Sequence, residues 1–467
     1  MPSNSFENYL MTWTPNKEAL TTPIYLGLAN TLEYDILNGN LTGGTKLPPQ
    51  RELADYLDVS LSTITRVYTI CEKKGLIYAI TGKGTFVSET ANIVKSIIDM
   101  EEKTDSIDLD IAAPFITQMD TITQVIRDVA DSPEISDFFK YTNPLGTKKQ
   151  IASAIKWLKQ FGIHSNGNDI LIANGTQNAL NLVLSALFKY GDKIAVDQYT
   201  YANFIGIANI LNITLVPIVS DDYGMNPEEL RKAVHTNSIN GIYISPSCSN
   251  PQAICMPLKR RKAIANIINE NRMILIEDDC YSFLLEKTIT PISMLAPDLS
   301  IYLNGMNKAV CPGLRIAFIW HCGQFRRQLE TAIYSCNLIV SQLNAEIAAE
   351  IIQKNIHLDI MKDYTSQAVE RNKIYSKYFQ TVNMRSYYQW LPLPSEITGI
   401  LFESLASKEG ISVYGSERFL VGDSSGKYYL RIATSAPKTV QELDIALSKI
   451  KRMIIELDNK SLVDYTI

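Results

Sequence analysis

The sequence predicts a multidomain chain: a small head of three helices and a β-hairpin, then a larger α/β domain with a largely parallel sheet. Three observations predict this. Residues 23–87 carry helical periodicity that gives way to two short strand-like runs around a glycine-rich tip. Residues 88–106 read as a linker, with a faint apolar rhythm over 92–100 and a charged end over 101–106 that lacks core-forming side chains. From Ile107 onward, short β-branched runs alternate with longer amphipathic segments. A length of 467 residues, 46% of them hydrophobic, is also long for one core and suggests two or three domains.

In the head, Pro23 favours a first helical position, and Leu28, Leu32 and Ile36 share one helical face. The helix ends at Asn38-Gly39-Asn40. A turn with Gly43-Gly44, then Leu47-Pro48-Pro49, leads to a short second helix over residues 51–57, with Leu53, Ala54 and Leu57 inward. Asp58-Val59-Ser60 is a tight turn, and Ser60 is a residue type that caps a following helix. This third helix puts Ile64, Val67 and Cys71 on one face and Ser62, Thr63, Thr65, Arg66 and Thr69 on the other. Gly75 stops it. Leu76-Ile77 and Thr85-Phe86-Val87 then flank the tip Thr81-Gly82-Lys83-Gly84.

Three helices plus a hairpin make a winged helix-turn-helix. Its third helix would enter the major groove of DNA, where Ser62, Thr63 and Arg66 can meet base edges and phosphates. Between Lys46 and Val87 six basic residues stand against four acidic ones, a difference of +2 and the sign phosphates require. The competing reading is a packing module whose third helix contacts the larger domain.

The run Gly39-x-Leu41-x-x-Gly44-x-x-Leu47-Pro48-x-x-Arg51-Glu52-Leu53-Ala54 resembles the head of the GntR regulators. So do Val59-Ser60-x-x-Thr63, Gly75-Leu76-Ile77 and Gly82-x-Gly84-Thr85-Phe86-Val87. The resemblance implies DNA contacts from Arg51, Thr63, Arg66 and the wing around Lys83. One position departs: the family usually has a DNA-contacting arginine where this chain has Leu61, for which a thymine methyl is one apolar target.

Composition excludes several classes. No apolar run approaches the roughly 18 residues of a membrane span. The first residues, Met-Pro-Ser-Asn-Ser-Phe-Glu, lack a basic region followed by an apolar core, so no signal peptide is expected. Seven scattered cysteines without a CxxC pair fit reduced thiols in a cytoplasm. The four histidines lack metal-ligand spacing, and no metal is expected. The net charge of −5 says little about nucleic acid.

The expected boundaries are a lead-in over 1–22, the head over 23–87, a linker over 88–106 and the α/β domain over 107–467. In that last domain Lys193-Ile194-Ala195-Val196, Ile213-Thr214-Leu215-Val216-Pro217, Gly241-Ile242-Tyr243-Ile244, Met273-Ile274-Leu275-Ile276 and Ser300-Ile301-Tyr302-Leu303 read as buried strands. Chemistry in such sheets collects just past the strand ends. There stand Asn174-Gly175-Thr176-Gln177 before a helix, then Tyr201, Asn250, Asp278, Tyr281, Lys308 and Arg315. Free amides at a helix start cradle phosphate. A buried carboxylate needs a cation or proton donor, and a protonated pyridine nitrogen is one. An amine, a carboxylate, a guanidinium, a flat ring and a phosphate cradle form the set that pyridoxal phosphate needs.

In this order the residues resemble the fold-type I aminotransferases across nearly all of 107–467. With the head attached, the chain resembles the MocR group of GntR regulators. The resemblance implies that Lys308 bonds the cofactor aldehyde and that Asp278 keeps the ring nitrogen protonated. Tyr281 and Asn250 would donate to the ring hydroxyl, and Tyr201 would stack on the ring. Thr176, Gln177 and Arg315 would hold the phosphate, with Tyr141 reaching it from the other subunit. Arg431 would grip an effector carboxylate; a structural salt bridge is its alternative role. A small subdomain is expected from about residue 345 to 467 plus the N-terminal segment, beside a large one over about 140–340. The resemblance also implies a homodimer, domain-exchanged in MocR proteins. Three positions depart from the pattern: Gly305 and Asn307 replace serines, and Tyr199 replaces a proline. The expected function is a DNA-binding regulator that senses an amine, amino acid or vitamer through pyridoxal phosphate. The competing readings are a working aminotransferase with an auxiliary head and a scaffold that has lost the cofactor.

Overall fold

The structure is a computed structural model that describes residues 11–16, 23–37, 40–41, 43–80, 82–88, 106–394, 397–423 and 426–464, with side chains through 458. Most of the expected lead-in and linker, the end of the first helix at Asn38-Gly39, and Thr81 of the wing lie outside the described residues. The chain divides into two compact units, Met1–Asp99 and Met100–Ile467.

The head holds α1 (Ile24–Leu37), α2 (Gln50–Leu57) and α3 (Leu61–Lys73), then β1 (Ile77–Ile80) and β2 (Gly84–Val87). Each local signal acts as its chemistry requires. The Ser60 hydroxyl accepts from the Thr63 amide at the start of α3. Asp58 closes α2 in the left-handed region at φ 54°. Gly75 (φ 69°) lets the chain leave α3. Ile64, Val67 and Cys71 are buried with Leu28, Leu32, Leu53 and Leu57. Two features were not foreseen. Trp13, assigned to the lead-in, is buried in this core and donates to Asp35 at 2.7 Å. Residues 44–47 also pair with β2, through Leu47 N to Thr85 O at 2.8 Å and Val87 N to Thr45 O at 2.9 Å.

The second unit opens with β3 (Ile107–Asp108), then β4 (Ile170–Ala173), β5 (Lys193–Asp197) and β6 (Thr214–Ile218). A small hairpin follows, β7 (Ser220–Asp221) and β8 (Gly224–Met225), then β9 (Gly241–Ile244), β10 (Ile274–Asp278), β11 (Ser300–Gly305) and β12 (Ala317–His321). Seven of these form one sheet in the order β4-β12-β11-β10-β9-β5-β6. β12 runs antiparallel to both its neighbours; the others are parallel. Strands β4, β9 and β11 are buried along their whole length, as a sheet covered on both faces requires.

A second core gathers around β13 (Gln389–Pro392), β14 (Ile411–Ser412), β15 (Tyr414–Gly415) and β16 (Tyr429–Ile432). β13, β16 and β15 form an antiparallel sheet, and β14 pairs in parallel with β3. The start of the small subdomain differs from the expected position near residue 345. Ile347, Ile351, Ile360, Tyr364 and Ala368 pack in the large core, and Tyr375 packs in the small one. The changeover therefore lies within the 20-residue helix Ile356–Tyr375. Apolar residues serve both cores along that helix, so periodicity alone does not mark the border.

Candidate functional site

The side chains expected to carry chemistry gather at the carboxyl ends of β4, β5, β9, β10 and β11. After β4, Gly175 (φ 85°) starts the helix Thr176–Leu187 with no side-chain cap on its amides. The Arg315 guanidinium lies against this start: a Cβ built on Gly175 would stand 3.0 Å from its central carbon. A guanidinium beside the positive end of a helix is unfavourable unless an anion joins them, and a phosphate fits that need. At Gly305 a side chain would collide with the Thr176 hydroxyl and stand 2.9 Å from Asn307 Oδ1. The missing serine hydroxyl therefore has no room, and Thr176 occupies its place. The Asn307 oxygen is buried without a hydrogen bond.

Asp278 ends β10 and is buried. Tyr243 on the adjacent strand donates to one carboxylate oxygen at 2.9 Å, and the Cys280 thiol to the other at 3.1 Å. Burial raises its pKa, and it makes no ion pair among the described residues. A protonated ring nitrogen supplies the cation it lacks. Tyr201 donates to Gln177 at 3.3 Å and accepts from Asn203 at 3.1 Å, which fixes the ring that is expected to stack. Tyr281 is buried edge-on to Tyr387 and Tyr388, at 5.7 and 5.5 Å. Burial pushes its pKa well up, so its hydroxyl stays protonated, as a donor requires.

Lys308 sits in the short helix Met306–Ala309 and donates to the Ala112 carbonyl at 2.6 Å. Burial, then the nearby Arg431 and Arg315 charges, pull its pKa down to about 8. Arg431, on β16, is 3% exposed and makes no ion pair among the described residues. It donates to Asn250 Oδ1 at 3.0 Å and to the Asp110 carbonyl, and its Nε is buried without a partner. Phe419 lies 4.7 Å below the guanidinium, with Tyr414 and Tyr388 at 5.5 and 5.7 Å. Among the described residues Arg431 makes no salt bridge within hydrogen-bond reach, although the Asp110 charge favours its protonated form. A ligand carboxylate fits a buried cation of this kind.

In the head, Ser62, Thr65, Arg66, Arg51 and Lys83 are exposed and Thr63 is partly so. The Arg66 guanidinium rests 5.6 Å over the Tyr25 ring. A Cβ on Gly84 would stand 2.9 Å from Lys46 Cε, so the Lys46 stem crosses the wing and adds a cation beside Lys83.

Two family models match the chain. Residues 104–450 match "Aminotransferase class I and II", and residues 24–87 match "Bacterial regulatory proteins, gntR family". The uncharacterized HTH-type transcriptional regulator YdeF of Bacillus subtilis is 35% identical over 461 residues, spanning 98% of this chain and 100% of that protein. The chain belongs to the GntR/MocR-type regulators. The vitamin B6 salvage pathway transcriptional repressor PtsJ of Salmonella typhimurium is 22% identical, over 87% of this chain and 93% of that protein. Among solved structures, a Pyrococcus horikoshii kynurenine aminotransferase matches at TM-score 0.70 and 22% identity, covering 82% of this chain and 97% of that one. A multiple substrate aminotransferase of Thermococcus profundus matches at 0.71 and 21%, covering 77% and 93%. These two likenesses establish the fold: a fold-type I aminotransferase-like domain.

In this MocR-type chain the structure brings Thr176, Gln177, Tyr201, Asn250, Asp278, Tyr281, Lys308, Arg315 and Arg431 to one end of the sheet. Tyr141 stands apart on the surface at 81% exposure. Sequence reasoning missed Tyr243, whose hydroxyl holds Asp278, and Cys280, which bridges Asp278 and the Thr176 hydroxyl at 3.1 and 3.2 Å. Cys280 carried a signal, lying two residues past Asp278. It also missed Asp110 and Ala112, which act through backbone carbonyls and carry no side-chain signal.

Proposed function

We propose that this MocR-type regulator binds pyridoxal 5′-phosphate around Lys308 and uses it to sense an amine, an amino acid or a vitamer, and that site occupancy sets how a dimer of heads meets its operator. One observation carries the reading. Asp278 and Arg431 are charges withdrawn from water without ion pairs among the described residues, the half-buried Lys308 makes none there either, and Arg315 faces an uncapped helix start. A cofactor phosphate, a ring nitrogen and an effector carboxylate would supply counter-charges to Arg315, Asp278 and Arg431, and Lys308 would react as its free amine. When bound, the cofactor supplies an aldehyde that condenses with amines.

The chain's own residues do the rest. Arg315, Thr176 and Gln177 hold the phosphate end, Asp278 the ring nitrogen, and Tyr281 and Asn250 the ring hydroxyl. Arg431 donates to the Asn250 side-chain oxygen, so the Asn250 amide nitrogen remains as a donor. Lys308 and Arg431 exchange their carbonyl partners, Ala112 and Asp110, for the ligand. The exposed pair Phe139 (74%) and Tyr141 (81%) supports a second subunit covering this segment.

The test is a mobility-shift assay on the protein's own upstream DNA, with and without pyridoxal phosphate and a panel of amines. Affinity should depend on both. Borohydride reduction followed by peptide mapping should fix the cofactor at Lys308, and a colourless protein that takes up no added cofactor defeats the reading. A second reading, an active aminotransferase, is kept open by the buried Arg431, because a carboxylate grip would serve an enzyme and a sensor alike. Sustained keto-acid production at about 1–10³ per second would select it.

A further inference from the structure

We propose that Leu61 is a specificity-determining residue of the head and that it reads a thymine methyl in the operator; this rests on the DNA-binding reading above. A lone exposed leucine is ordinary on a protein surface. Its place is what gives this one meaning. Leu61 is the first residue of α3 and is 43% exposed. In helix-turn-helix heads the first residues of the groove helix meet base edges.

The polar side chains around it spend hydrogen bonds inside the head. Ser62 and Thr63 each lie 2.8 Å from the Ser60 hydroxyl, which also accepts from the Thr63 amide at 3.2 Å. Thr65 donates to Gln50 at 2.8 Å, and Thr69 to the Thr65 carbonyl at 2.8 Å. Arg66 rests over Tyr25. Base-edge hydrogen bonds from these groups would compete with bonds already made. Leu61 has no such bond to give up, and the apolar feature of the major groove is the thymine C5 methyl. Burying it against Leu61 removes one methyl-sized area from water, worth about fourfold in affinity per half-site.

The experiment starts with the full-length protein and a pool of random duplexes. The enriched duplex is then resynthesised with deoxyuridine in place of each thymidine in turn, which deletes the methyl alone. Wild-type protein should lose about fourfold per half-site at one thymine and little elsewhere. Leu61→Ala should bind the thymine and uracil forms equally. Leu61→Arg should select guanine there, the base whose O6 and N7 take a guanidinium. The head's thermal melt serves as the folding control for both variants. No methyl-sensitive thymine in wild type, or the same sensitivity in Leu61→Ala, would overturn the proposal while DNA reading stands. A pool that yields no enriched sequence would instead overturn DNA reading and this inference with it.

Discussion

At the residue scale, Lys308 and Arg431 are cations whose burial opposes their charge. The Lys308 pKa falls from the usual lysine value to about 8 because burial, then Arg431 and Arg315, disfavour the ammonium. Only the free amine can bond an aldehyde. Cofactor capture should therefore speed up about tenfold per pH unit below pH 8 and flatten above it, whereas a solvated lysine keeps gaining to about 10.4. Absorbance-monitored mixing across this range reads the profile. A rate still climbing at high pH would show that the ammonium is not opposed as described. Arg431 gives a different test. Its charge is buried without an ion pair among the described residues, and burial lowers its pKa. An unpaired buried charge carries a desolvation cost that an apolar side chain of similar length does not. Arg431→Met should thus leave the melting temperature of the effector-free protein unchanged or raised, while the response to amino acids is lost and that to amines without a carboxylate persists. A lower melting temperature would mean that the contacts to Asn250, Asp110 and the rings outweigh the desolvation.

At the scale of elements, the helix Thr176–Leu187 depends on what precedes it. Gly175 holds φ at 85°, and a Cβ there would press on Arg315 at 3.0 Å. Gly175→Ala should weaken cofactor affinity by about tenfold or more, near 1.4 kcal/mol, with DNA binding by the cofactor-free protein unchanged. An absorbance titration measures it, and unaltered affinity would remove Arg315 from the phosphate site. Elements of this kind were legible in the sequence because their causes are local. The Ser60 cap, the stripe Ile64, Val67 and Cys71, and the Asp278 end of β10 each need only a few neighbouring residues. What stayed illegible depends on distant parts of the chain. Trp13 enters the head core through Asp35. Tyr243 reaches Asp278 because β9 and β10 pair with Tyr243 opposite Ile276. The long helix Ile356–Tyr375 hides the border between cores because it serves both.

At the scale of the whole molecule, residues 107–112 occupy a distinctive place. They are the first described stretch of the second unit after Ser106, and the chain beyond Ser106 leads back to the head. Three main-chain bonds tie them to the small subdomain: Ile107 N to Gly410 O, Leu109 N to Ser412 O and Ala433 N to Leu109 O, each 2.8 Å. Two further ties come from the candidate site itself, Lys308 to Ala112 and Arg431 to Asp110. The side chains expected to hold cofactor and effector are thus among the groups that hold this segment. Ligands that claim Lys308 and Arg431 compete with the two carbonyls for those donors. A hydrogen bond from a charged donor contributes roughly 1.5–3 kcal/mol, so each loss should speed local opening by about tenfold or more. Hydrogen exchange at the Ile107 and Leu109 amides should therefore accelerate in two steps, first with pyridoxal phosphate and again with an amino acid. Lys308→Ala should abolish the first step and Arg431→Met the second. If cofactor and amino acid bind, as absorbance reports, while these amides exchange at unchanged rates, the segment does not register occupancy, and the path from ligand to head must run elsewhere.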